Sequence, residues 1–112
     1  MIDFGLDTHT KDTWSVLEVR GEVDAHTAPR VRDRLRELVD DGHVRIAIDA
    51  EAVEFMDSTG LGVLVGALKR VREHDGTLTL VCTRPNLLRL LAITGLDKVF
   101  PVFRSVDDAT TS

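Results

Sequence analysis

One cysteine, Cys82, stands among 112 residues, so no internal disulfide can form, and a reducing compartment is expected. Long apolar runs are missing too. Nothing approaches the roughly 20 residues needed to span a bilayer, so no membrane contact is expected. The first residues lack the basic-then-apolar pattern of a secretory leader, because Asp3 and Asp7 fall where positive charge is required. Together these absences predict a cytoplasmic protein. Basic residues are also short: 14 Lys and Arg against 19 Asp and Glu leave a net charge of −5 and a pI near 5.2. Direct nucleic-acid binding is disfavoured by that balance, which suits a protein partner or a small molecule.

Catalytic and cofactor motifs are equally scarce. His9, His26, His43 and His74 show no metal-ligand spacing, so no metal is expected. Gly60-Leu61-Gly62 is followed by Val63 and Leu64, not by the Lys of a P-loop. It also lacks the third glycine of a dinucleotide fingerprint, and no other cofactor is indicated. Ser58 is not framed as the G-x-S-x-G elbow of a hydrolase. A receiver domain would need an acidic pair after its first strand, and Glu22 and Asp24 are poorly arranged for that. No enzyme activity is expected.

What is present is an ordinary soluble composition, 43% hydrophobic and 29% charged, with room for one domain over residues 1–112. Ile2, Phe4 and Leu6 alternate with Asp3 and Asp7 as a half-exposed strand, and His9 to Asp12 reads as a turn. Trp14 to Gly21 is a second strand, paired antiparallel to the first. Glu22 to His26 forms a loop, with Thr27 as helix cap and Pro29 in the first turn. Ala28, Val31, Leu35, Leu38 and Val39 share one face of that helix, which Gly42 ends. The run from Arg30 to Arg36 is read as a solvated face, with a docking patch for an acidic partner as the alternative.

Val44 to Ala50 is apolar enough for a central parallel strand. A second helix runs from about Thr59 to His74, with Leu61, Leu64, Val65, Leu68 and Val71 facing the sheet, and Asp75-Gly76 turns the chain. Leu78 to Cys82 is a buried strand. A third helix starts near Pro85, turns Leu87, Leu88, Leu91 and Ala92 inward, and stops at Gly95. Val99 to Phe103 is an edge strand, because Pro101 cannot serve a central ladder. One more turn of helix follows at Val106 to Ala109, and residues 107–112 are expected to fray. The order β-β-α-β-α-β-α-β predicts an α/β fold with a mixed, mostly parallel sheet of about five strands and about four helices.

The most informative stretch is Phe55-Met56-Asp57-Ser58-Thr59-Gly60-Leu61-Gly62, at a strand-to-helix junction. Asp57, Ser58 and Thr59 are all good N-cap residues, and a hydroxyl there lies where a helix dipole favours a dianion such as phosphate. By position alone Ser58 is either a cap or a phosphate acceptor. Gly60 and Gly62 each cost about 1 kcal/mol against alanine inside a helix. Two reasons compete for them: a bare surface that a partner approaches, extended by Gly66, or tight packing on the sheet.

Asp57-Ser58-Thr59-Gly60-Leu61-Gly62 closely resembles the signature of bacterial anti-sigma factor antagonists, the stand-alone STAS domains. Gly21-Glu22-Val23-Asp24 is similar to their second marker, and Thr94-Gly95-Leu96-Asp97-Lys98-Val99-Phe100 to their third. With the element order, these cover nearly the entire chain. The resemblance implies a STAS fold whose unphosphorylated form binds an anti-sigma factor, itself a serine kinase that carries the ATP, and so frees a sigma factor. That kinase would phosphorylate Ser58 and weaken the complex, and a phosphatase would reset it. Asp24, Asp57, Thr59, Gly60, Leu61 and Gly62 would form the partner surface, with Asp57 read chiefly as the cap and Thr59 as a helix starter in preference to a second phosphate acceptor. The alternatives are a non-switching STAS scaffold and a small-ligand-binding module.

Overall fold

In the computed structural model, which describes residues 3–111, one five-stranded sheet organises the chain. Strands β1 (Gly5–Lys11) and β2 (Trp14–Val23) form an antiparallel hairpin, with Asp12 supplying the left-handed residue its tight turn needs. Helix α1 (Ala28–Asp40) leads to β3 (Arg45–Met56), and α2 (Ser58–Glu73) to β4 (Thr77–Val81). Then come α3 (Pro85–Thr94), a 3-10 turn (Leu96–Lys98), β5 (Val102–Phe103) and α4 (Val106–Ala109). The sheet order is β1-β2-β3-β4-β5, and every pair after the hairpin is parallel. This is the mixed, mostly parallel α/β sheet with four helices that the element order predicts.

Alternation along the strands divides the interior in two. Leu17, Val19, Ile46, Ile48, Leu78 and Leu80 meet the apolar stripes of α1, α2 and α3 in the main core. The intervening residues Trp14, Val16, Ala47 and Val81 pack with Ala109 of α4 on the opposite face. Where a frayed tail over 107–112 is expected, Ala109 and Thr110 are buried and α4 closes the second face; Ser112 lies outside the described residues.

Other boundaries move for physical reasons. The first strand runs on through His9, which pairs with Val16, so the expected turn at 9–12 shrinks to its end. Ile2, included in the expected strand, lies outside the described residues. β3 continues six residues beyond Ala50 because its ladder to β2 persists to the Val23–Met56 pair. On α3, Leu87 and Leu91 are buried but Leu88 and Ala92 face outward. That helix is apolar nearly all round, so periodicity did not discriminate its faces. β5 keeps only two residues, and Val99 ends the preceding 3-10 turn. No helix among the described residues is long and apolar enough to cross a membrane.

Candidate functional site

The paired ends of β2 and β3 set the head of α2. Val23 sits opposite Met56, and the next N–H, that of Asp57, donates to the Val23 carbonyl at 3.1 Å. Asp57 is extended, with φ −102° and ψ −172°, as an N-cap should be. Its Oδ1 accepts from the N–H groups of Thr59 at 2.9 Å and Gly60 at 3.2 Å, and its carbonyl accepts from Leu61. The cap is therefore Asp57 alone. Ser58 becomes the first helical residue; it is exposed, and its hydroxyl has no hydrogen-bond partner among the described residues.

Asp24 follows Val23 and so lies on the same rim of the sheet. Its carboxylate accepts from the N–H groups of His26 at 2.9 Å and Thr27 at 3.2 Å. Those two amides, His26 first, hold Asp24 below the usual carboxylate range. Thr27 does not cap α1 with its side chain. Its hydroxyl donates to the Glu22 carbonyl at 2.7 Å and accepts from the Asp24 N–H at 3.0 Å, which closes the loop on itself. Upstream, Gly21 has a φ of +92°, and a Cβ there would come within 3.0 Å of the Phe4 backbone, so only glycine fits.

The remaining residues of the expected partner surface separate. Thr59 is exposed beside Ser58, and Gly62 is exposed one turn on. Gly60 and Leu61 are not surface residues. Leu61 is 6% exposed and belongs to the main core, because its position on α2 points it at the sheet. A Cβ on Gly60 would meet Met56 Cγ at 2.6 Å and Val23 Cγ1 at 2.8 Å, so tight seating of the helix explains this glycine. In the free chain those two residues support the head of α2 from below instead of lining its surface.

Downstream, α3 clamps the extended end of β3. Arg84 Nε donates to the Glu51 carbonyl at 2.6 Å, and Asn86 Nδ2 to the Glu54 carbonyl at 2.9 Å. Phe55 is held there with 49% of its surface exposed, an apolar side chain that sequence reasoning included in the stretch without assigning it a role. Its signal was present: an aromatic directly before the junction, flanked by Glu54. The marker from Thr94 to Phe100 lies at the opposite end of α3. Gly95, with φ +75°, ends that helix in the left-handed conformation, and Phe100 returns to the core.

Comparison with known proteins agrees with this fold. Residues 6–109 match the model of the STAS domain. The anti-sigma-B factor antagonist of Staphylococcus aureus is 35% identical over 101 residues, covering 90% of this chain and 94% of that protein. Its counterpart in Listeria monocytogenes is 36% identical over 102 residues, with 90% of each chain covered. The crystal structure of an anti-sigma factor antagonist from Mycobacterium paratuberculosis superposes with a TM-score of 0.88 at 34% identity, over 96% of this chain and 91% of that one.

Proposed function

Because the chain belongs to the STAS domain family, and its relatives are anti-sigma factor antagonists, we propose that it is a phosphorylation-switched antagonist of an anti-sigma factor. In this reading the unphosphorylated protein docks the head of α2 on an anti-sigma factor serine kinase and thereby frees a sigma factor. The partner's ATP then phosphorylates Ser58, the complex dissociates, and a phosphatase restores the binding form. The observation that carries this is the exposed, unpartnered Ser58 hydroxyl beside a helix already capped by Asp57.

The physical switch follows from that occupancy. Phosphate adds about −1.5 to −2 charges at neutral pH. The Thr59 and Gly60 amides are already bonded to Asp57, so the phosphate does not take over the helix cap. It joins the carboxylates of Asp57 and Asp24 on one rim, where a docking partner must strip water from all three. Repulsion and desolvation then fall on the complex, while the free protein keeps its fold. Thr59 and Gly62 complete the exposed contact surface, and Gly60 and Leu61 hold it in place from below.

The test is incubation with ATP and an anti-sigma kinase, followed by mass spectrometry and a binding titration. One phosphate should appear on Ser58 and none on a Ser58→Ala variant. Ser58→Asp should bind the kinase at least about tenfold more weakly than Ser58→Ala, or 1.4 kcal/mol. Equal affinity of the two variants would refute the switch, and a binding protein that no kinase modifies would be a scaffold.

A further inference from the structure

Helices α1 and α2 leave a gap between their outer edges. It holds a cavity of about 300 Å³, lined by Ile46 from the sheet, by Leu35 and Val39 of α1, and by Val63 and Ala67 of α2. Small-molecule sites begin at about this size, and they are mostly apolar with a few convergent polar groups. Here those groups are three guanidiniums, Arg32, Arg36 and Arg70, and no carboxylate lines the space. Among the described residues, Arg36 and Arg70 have no ion pair or side-chain hydrogen bond, and Arg32 reaches only its neighbour Asp33 at 3.2 Å. In a chain of net charge −5, two unpaired guanidiniums, Arg36 and Arg70, beside a third that reaches only Asp33 form a local field that favours an anion.

A second observation comes from the glycines. Gly62 and Gly66 line the same cavity, and a Cβ on either would meet nothing within 4 Å. Each weakens the helix relative to alanine, yet no close approach of neighbouring atoms requires it. What their missing side chains accomplish is to keep the gap open.

We propose that the α1–α2 cavity binds a small amphipathic anion, its apolar body against Ile46, Leu35 and Val63 and its carboxylate or phosphate head on Arg36 and Arg70. Charge-assisted hydrogen bonds from a planar guanidinium suit either head. The space is too small for a docking helix, which is about 10–12 Å across with its side chains. Thr59 borders the cavity, so the ligand lies against the head of α2 without depending on phosphorylation there.

The test follows the backbone amide resonances of Gly62 and Gly66 while the unmodified protein is titrated with octanoate, octyl phosphate, octyltrimethylammonium or acetate, each to about 10 mM. At least one of the two eight-carbon anions should give a saturable shift at both glycines with a Kd of about 1 mM or tighter. The tighter of them identifies the head group. Octyltrimethylammonium and acetate should bind at least tenfold more weakly. The Arg36→Gln/Arg70→Gln double variant should lose at least tenfold in affinity, and Gly66→Leu should abolish binding by filling the space. No saturable shift with either anion, equal binding of the trimethylammonium compound, or unchanged affinity in the folded double-arginine variant would overturn the proposal.

Discussion

Two aspartates on the same rim make the same bonds and leave different remainders. Asp24 accepts from the amides two and three residues ahead, His26 and Thr27; Asp57 accepts from the amides two and three residues ahead, Thr59 and Gly60. Each turn also carries a hydroxyl residue within reach. In the first turn the Thr27 hydroxyl is consumed by the Glu22 carbonyl and the Asp24 amide. In the second, Asp57 takes the Thr59 and Gly60 amides, and the Ser58 hydroxyl, like that of Thr59, is left over among the described residues. One turn is closed on itself and the other offers an acceptor to solvent, so a free hydroxyl here is a consequence of who caps the helix.

The contrast can be broken most strongly from underneath. Gly60→Val would push a branched side chain into Val23 and Met56, the residues that seat the α2 head, and it should cost about 3 kcal/mol by overpacking, read as a lower urea midpoint. Next comes the cap itself. Asp57→Ala leaves the Thr59 and Gly60 amides without their acceptor and should cost about 1–2 kcal/mol. A value near zero would mean that another group, such as Ser58, can take over capping. The two hydroxyls then separate by a smaller margin. Thr27→Val should cost about 1 kcal/mol, because the Glu22 carbonyl and Asp24 amide lose their partner. Ser58→Ala should stay within about 0.5 kcal/mol of the parent in the same urea titration. Equal losses would erase the distinction between the two turns.

Much of this was legible beforehand and some was not, for reasons the residues make plain. The helix stripes of α1 and α2, and the acid-hydroxyl cluster before α2, are local patterns, and local chemistry set both elements. β1 was misplaced because its ladder to β2 is backbone bonding, while Asp7, Thr8, His9 and Thr10 are exposed and carry no alternation. β3 ran long for a related reason: pairing continued past the point where its apolar pattern faded. Gly60 and Gly62 look identical along the chain, yet one is pressed by Val23 and Met56 and the other faces open space. That difference depends on a strand far away in sequence. Leu61 shows the same limit, since a motif can be read as a surface while alternate members of it face the core.

The smallest expected effect concerns the charge on the closed turn. The folded-state pKa of Asp24 is depressed, chiefly by the His26 amide and then by Thr27, so folding favours its ionised form. Stability from this carboxylate is therefore fully present above the unfolded value, near 3.9, and is lost as pH falls through the lower folded value. Asp24→Asn keeps an oxygen that can accept from both amides but removes the titration. A plot of the urea midpoint against pH should fall less steeply below about pH 4 in the variant than in the parent, with the two curves parallel between pH 6 and 8. Identical slopes at low pH would mean that the His26 and Thr27 amides do not discriminate between the charged and neutral acid. The turn would then be held by the Thr27 hydroxyl instead, and the likeness between Asp24 and Asp57 would be one of shape only.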